Sequence, residues 1–175
     1  MSDTTPEVSP PTVLKTTHDL SQFQSGETAL DGWLRQRALS NLELGASRTY
    51  VVCPVESDVV VGFYSLSMGQ VLALEVPGSM RRNMPNNIPA VILGRLAVDE
   101  KWQGKGIARS LLADVIKRSL RASSEIATRL VIVHAISTKA ETFYIHHGFV
   151  RLPVETPTLA FDLVKYTKVK VALSS

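Results

Sequence analysis

Leu93-Gly-Arg-Leu-Ala-Val98-Asp-Glu-Lys-Trp-Gln103-Gly-Lys-Gly106-Ile-Ala-Arg-Ser-Leu-Leu-Ala113 is the stretch on which the reading of this chain turns. Its first part closes a β-rich run over residues 90–98. From residue 104 to 120, Ile107, Leu111, Leu112, Val115, Ile116 and Leu120 recur as one apolar stripe, which predicts a helix. Between the two lies Gln103-Gly104-Lys105-Gly106-Ile107-Ala108-Arg109. Glycines at such a junction let the backbone come close to a bulky anion. The unpaired N–H groups of the first helical turn, and the helix dipole behind them, favour negative charge at that point. Lys105 and Arg109 add positive charge. Strand, glycine loop and helix together form a phosphate cradle. The loop lacks the Gly-Lys-Ser/Thr ending of a nucleotide triphosphate loop, and its glycine spacing does not fit a dinucleotide fingerprint. The competing reading is a glycine-rich tight turn with no ligand.

Outward from this stretch the pattern is that of a mixed α/β protein. A short strand is predicted over 13–17 and a helix over 28–43, carried by Leu30, Trp33, Leu34, Ala38 and Leu42 and stopped at Gly45. Residues 48–55 and 59–68 read as strands around a Glu56-Ser57-Asp58 turn, and 76–89 as a loop holding Arg81-Arg82-Asn83. Residues 130–136 are nearly continuously apolar, as in a strand buried on both faces. A short helix over 138–147 precedes Gly148, and strands follow over 149–152 and 159–164. Val169, Val171 and Leu173 alternate, which predicts a further edge strand. The order implies one mixed α/β domain around a central sheet over 13–175, preceded by a flexible tail over 1–12.

Composition narrows the function classes. The chain has 175 residues, 45% hydrophobic and 20% charged, which excludes a wholly disordered polymer. No apolar run reaches the roughly 18–20 residues that cross a bilayer. The polar start, with Pro6, Pro10 and Pro11, has no apolar core of a signal peptide, so a cytoplasmic protein without a membrane partner is expected. Cys53 is alone, so no internal disulfide and no zinc cluster are expected. Net charge is +3, but unevenly spread: residues 1–31 carry one Lys and five acids, residues 81–121 nine Lys or Arg and three acids. A basic middle points to an anionic partner, a phosphate-bearing cofactor or a nucleic acid, against the plainer alternative of a solvated basic face. His146 and His147 occupy adjacent helix positions about 100° apart and do not chelate one ion. No nucleophile elbow or Ser-His-Asp order appears, which argues against a hydrolase.

Gln103-x-x-Gly106-x-Ala108 between a strand and a helix resembles the pyrophosphate-binding signature of the GNAT N-acetyltransferases. Leu96-Ala97-Val98-Asp99 resembles the strand before that signature, residues 130–136 its splayed neighbour, and Phe143-Tyr144-x-x-x-Gly148-Phe149 the short helix and strand that follow. The chain is further similar to one branch, the acetyltransferase toxins of bacterial type II toxin–antitoxin modules. That similarity is carried by Phe23, Gly26, Leu30, Asp31 and Trp33-Leu34, by Arg48-Thr49-Tyr50-Val51-Val52 and Gly62-Phe63-Tyr64-Ser65-Leu66. Arg81-Arg82-Asn83-Met84-Pro85, Arg95-Leu96-Ala97-Val98 and His146-His147-Gly148-Phe149 complete it.

The resemblance implies a GNAT fold: a twisted, mostly antiparallel central sheet with a splayed parallel pair and flanking helices. It implies acetyl-CoA as the cofactor and transfer of its acetyl group to the α-amine of aminoacyl-tRNA, which blocks translation. It also implies a homodimer, a ribbon-helix-helix antitoxin partner, and binding of the complex to promoter DNA. The chemistry of the residues is compatible. Leu96, Ala97 and Val98 offer backbone N–H groups to the thioester oxygen, and Gln103, Gly104, Lys105, Gly106, Ile107, Ala108 and Arg109 hold the pyrophosphate. The resemblance makes Tyr144 the general acid for the departing thiolate; read without it, Tyr144 packs a core beside Phe143. Charge and the branch together put RNA contact at Arg35, Arg37, Arg81, Arg82 and Arg95, the alternatives for Arg81 and Arg82 being an exposed loop with no ligand or a dimer contact. One departure stands out: many members carry an Asn after the splayed strand, where this chain has Ile136-Ser137-Thr138. Two other functions compete. One is a housekeeping N-acetyltransferase of a small or protein amine; the other is a binding module that holds acetyl-CoA without turnover.

Overall fold

Strand β4 (Asn87–Val98) is, at twelve residues, the longest of the sheet. The computed structural model describes residues 7–174. Before β4 come β1 (Thr12–Val13), helices α1 (Thr28–Gln36) and α2 (Ala38–Glu43), strands β2 (Arg48–Val52) and β3 (Gly62–Leu72), a 3-10 turn (Ala73–Glu75) and the short α3 (Gly78–Arg81). After it come a 3-10 turn (Glu100–Trp102), α4 (Ile107–Ser123), β5 (Leu130–His134), α5 (Thr138–His146), β6 (Val150–Arg151), β7 (Thr158–Asp162) and α6 (Leu163–Ser174). The seven strands form one sheet in the order β1-β2-β3-β4-β5-β7-β6. β4 and β5 are its parallel pair, in register from Ala90↔Leu130 to Leu93↔Val133 and joined through α4. The sheet is otherwise mostly antiparallel, so the fold is the mixed α/β class expected.

The chain divides into two compact units. The first holds residues up to 67 together with 94–115. Its core gathers Leu14, Phe23, Leu34, Ala38, Val51, Val60, Phe63 and Ala97. Phe63 takes the edge of Phe23 at 5.5 Å and stacks on Trp33 at 6.3 Å. The helix expected over 28–43 is broken at Arg37, whose φ of −124° leaves the helical range. In a straight helix Leu39 would point about 180° away from Leu30. The break lets Leu39 and Leu42 pack on the same core as Leu30 and Trp33. Of the stretch read as a tail, residues 1–6 lie outside the described residues. Val8 pairs with Pro54 in an isolated bridge, and Ser9 donates its N–H to the Cys53 carbonyl at 2.8 Å.

The second unit holds residues 68–93 and 116 onward. Its core gathers Val71, Val76, Met80, Ile88, Ala90, Leu130, Ile132, Leu152 and Ala160. Leu130 to Val133 are buried throughout, as their continuous apolar run predicts. The expected loop over 76–89 contains α3 and the start of β4. The C-terminal segment departs from expectation: it is helix α6, not an edge strand. The Asp162 carboxylate accepts the Val164 and Lys165 N–H groups at 3.1 Å each and so starts the helix. Val169, Val171 and Leu173 remain exposed, so their alternation reflects no buried sheet face.

Candidate active site

The turn from β4 into α4 is tied down by side chains whose own hydrogen bonds are internal. Asp99 accepts the Lys101 N–H at 2.9 Å and the Gln24 N–H at 3.0 Å, while the Glu100 N–H meets the Gln24 carbonyl at 2.8 Å. Gln103 donates through Nε2 to the carbonyls of Val98 and Ser25, both at 2.9 Å. Gln103 therefore staples the loop and leaves its backbone as the ligand-facing surface. Gly104 and Gly106 adopt φ of +77° and +82°, the left-handed region that costs other residues roughly 1–2 kcal/mol. Among the described residues nothing lies within 4 Å of a Cβ built on either, so open space faces both.

Gly106 caps α4: its carbonyl accepts the Ser110 N–H at 3.1 Å. A glycine cap has no side-chain acceptor, so the N–H groups of Ile107, Ala108 and Arg109 stay available to a bound anion. Lys105 and Arg109 are exposed at this end, and the Lys105 ammonium lies 5.6 Å from the Trp102 ring centre. Ile107 is buried and anchors the helix. A Cβ at Gly62 would stand 2.9 Å from Val52 Cγ2 and 3.3 Å from Ile107 Cγ2, so glycine lets α4 settle close on β3. Two turns further on, the buried Tyr64 hydroxyl donates to the Asp114 carboxylate. These two contacts fix the direction in which the helix end points.

Leu96, Ala97 and Val98 end β4 directly before this loop, Ala97 and Val98 buried and Leu96 half-buried. Arg95 lies 4.1 Å over the Trp33 ring, and burial lowers its pKa. Arg35 donates to the Phe23 carbonyl at 2.7 Å. Both arginines thus brace the Phe23–Phe63–Trp33 cluster, while Arg37 is exposed at the break between α1 and α2. Residue type alone gives no sign of the Trp33 platform or of the Gln24–Asp99 clamp, whose partners lie far apart in the chain.

In the second unit, Ser137 starts α5 by accepting the Ala140 N–H at 3.1 Å, and Gly148, at φ +95°, ends it. Tyr144 faces inward at 6% exposure, its ring against Phe143 at 5.2 Å and Phe149 at 5.3 Å. Among the described residues its hydroxyl has no hydrogen-bond partner, yet it is not one of the fully enclosed orphan oxygens, which are those of Ser47, Thr49 and Ser119. The hydroxyl therefore sits at the surface of a buried ring. Burial pushes its pKa above the ordinary phenol value, so the proton is held at Oη through neutral pH. His147 packs its ring on Phe143 at 4.8 Å, and His146 meets His147 edge-on. Arg81 and Arg82 are exposed at the end of α3, just before Asn83 at φ +61°.

The family model for the acetyltransferase (GNAT) domain matches residues 26–172. A tRNA-acetylating toxin of Mycobacterium tuberculosis strain H37Rv is 44% identical over 137 residues, covering 78% of this chain and 81% of that protein. The solved structure of AtaT complexed with acetyl-methionyl-tRNAfMet superposes with a TM-score of 0.86 at 30% identity, covering 97% of this chain and 100% of the other. AtaTR bound with AcCoA gives 0.81 at 29% identity over 93% and 97%. The AtaT–AtaR complex bound to DNA gives 0.74 at 29% identity over 91% and 97%.

Proposed function

The chain belongs to the GNAT acetyltransferase family, and from that premise we propose that it is the toxin of a toxin–antitoxin pair, acetylating the α-amine of aminoacyl-tRNA and so stopping translation. As a member of that family it is an acetyl-CoA-dependent acyltransferase. The identity of 44% with a tRNA-acetylating toxin carries the choice of acceptor.

The residues present fit acetyl-CoA. Two glycines in left-handed conformation, three helix N–H groups without a capping side chain, and exposed Lys105 and Arg109 suit a pyrophosphate. The thioester supplies the activated acyl carbon, so one C–S bond breaks and one C–N bond forms, while the amine loses one proton and sulfur gains one. In this reading Gly104 to Arg109 bind the diphosphate through backbone and charge. The β4 end at Leu96 to Val98 offers N–H groups that polarise the acyl oxygen. Tyr144 holds a proton at Oη with no internal acceptor competing for it, which suits donation to sulfur. Arg81 and Arg82 meet RNA phosphates from an exposed turn of the second unit; in the first unit Arg37 does so from the α1–α2 break, and Arg35 and Arg95 shape its surface through the aromatic cluster.

The same reading makes the chain a cytoplasmic homodimer held inactive by a ribbon-helix-helix antitoxin, the complex binding promoter DNA. The solved AtaT–AtaR assembly on DNA supports the antitoxin and DNA parts of it. Among the described residues no helix is long and apolar enough to cross a membrane.

The test is transfer of labelled acetyl from acetyl-CoA to purified charged tRNA, with uncharged tRNA beside it. Label on charged tRNA alone is expected. Label on a small or protein amine, with none on charged tRNA, overturns the acceptor and leaves an ordinary N-acetyltransferase.

A further inference from the structure

Arg129, which the reading above leaves without a role, stands at the meeting point of four segments of the second unit. Its Nε and Nη2 donate to the two carboxylate oxygens of Asp162, each at 3.0 Å, in the bidentate arrangement that guanidinium favours. The side chains are only 17% and 5% exposed. Nη2 also reaches the Ser79 carbonyl at 3.4 Å, and Nη1 the Met84 sulfur at 3.7 Å. On the far side, Asp162 caps the start of α6, and the Arg129 carbonyl accepts the Leu163 N–H at 3.0 Å.

The segment that profits is α3. It has four residues, begins at Gly78, and has no side-chain cap. A helix of one turn does not hold itself in water. Two anchors hold this one: Met80 and Met84 in the apolar cluster, and Arg129 on the Ser79 carbonyl. With Met80 drawn inward, the next two residues, Arg81 and Arg82, face solvent, and neither has an acidic partner among the described residues. A buried ion pair is weak evidence for stability, since an apolar pair of similar volume often serves as well. What an apolar pair does not provide is the directed N–H that grips the Ser79 carbonyl.

We propose that Arg129, clamped by Asp162, is a positioning residue that fixes the α3 turn so that Arg81 and Arg82 present their charges to the RNA acceptor. The proposal rests on the tRNA reading above and adds a residue outside the acetyl-transfer machinery. It predicts an effect on acceptor binding that exists only while Arg81 and Arg82 are present.

The experiment is a double-mutant cycle on the full chain, with charged tRNA and acetyl-CoA varied separately. Arg81→Ala/Arg82→Ala is expected to raise KM for charged tRNA about tenfold and to flatten its salt dependence by roughly 1.4 in log–log slope, as for two lost single-strand phosphate contacts. Arg129→Lys keeps the charge but loses the fork; it is expected to raise that KM about fivefold, with kcat and the acetyl-CoA KM within about twofold. In the background lacking both arginines, Arg129→Lys is expected to add nothing. An equal rise in that background, or a loss in kcat in place of KM, overturns the proposal. If Arg129→Lys unfolds, Asp162→Asn carries the same test, because it keeps an acceptor for the Val164 and Lys165 N–H groups. If Arg81→Ala/Arg82→Ala leaves KM unchanged while charged tRNA is still acetylated, the proposal fails and the functional reading stands. If the wild type puts no label on charged tRNA, the functional reading has failed and takes the proposal with it.

Discussion

Replacing Tyr144 by Phe removes one oxygen from a site whose ring contacts are otherwise kept. The ring lies between Phe143 and Phe149 at 5.2 and 5.3 Å, and a phenylalanine fills the same space. The hydroxyl has no hydrogen-bond partner among the described residues, so no internal bond is lost. Stability is therefore expected to change by no more than about 0.5 kcal/mol, since the usual loss of a hydrogen bond does not apply. In a chain of this size that corresponds to roughly 1–2 °C in Tm. Activity is expected to behave differently. A positioned general acid contributes about 10²- to 10⁴-fold, or roughly 3–5 kcal/mol of barrier. The assay is acetyl transfer to charged tRNA at saturating acetyl-CoA, beside a thermal melt of the same preparation. The expected result is a fall in kcat of at least about a hundredfold with an unchanged melt. A fall of less than about tenfold refutes Tyr144 as the proton donor. A Tm lower by more than about 5 °C refutes the claim that its hydroxyl has no structural duty.

Four further outcomes follow from the geometry. Gly106→Ala meets no neighbouring atom but must adopt φ +82°; a loss of about 1–2 kcal/mol in stability and a raised KM for acetyl-CoA are expected, read by melting and by kinetics. Gly62→Ala would place a Cβ 2.9 Å from Val52 Cγ2; overpacking of about 1–3 kcal/mol is expected in denaturant unfolding. Burial, with Asp58 nearby, pushes the Cys53 thiol up to about 11; in the folded protein at pH 8 its alkylation should be slower than in the unfolded chain by on the order of a hundredfold, and equal rates would show that the residue is accessible. Burial raises the folded pKa of Tyr144 above its unfolded value. The contribution of this group is thus fully present below about pH 10 and is lost as pH rises beyond it. Melts across pH 9–11 should show Tyr144→Phe losing less than the wild type.

The glycine turn from β4 into α4 was legible in the sequence because its determinants are local. Gly104 and Gly106 meet a backbone demand that few other residues meet, and the apolar stripe from Ile107 onward announces the helix that follows them. The buried strand β5 was legible for a similar reason: a run of Leu130 to Val133 has no polar face to show to water. The C-terminal segment was misread because alternation of Val169, Val171 and Leu173 is a sheet signal only where a sheet edge is waiting; here the Asp162 cap starts a helix instead. Likewise, the stripe from Leu30 to Leu42 announced helix but not its break at Arg37.

Residue type and short-range spacing by themselves determined the loop, the helix behind it, the buried strand and the mixed α/β class, since each depends on conformational preferences within a few residues. Only the tertiary structure decided which charges are free and which are engaged. Arg35 and Arg95 brace an aromatic cluster, Gln103 staples the loop, and Arg129 is gripped by Asp162, 33 residues away, while Arg81 and Arg82 remain exposed. An arginine reads the same in a sequence wherever it stands. Its role is set by whether folding brings it a carbonyl, a carboxylate or an aromatic face, and those partners come from distant parts of the chain.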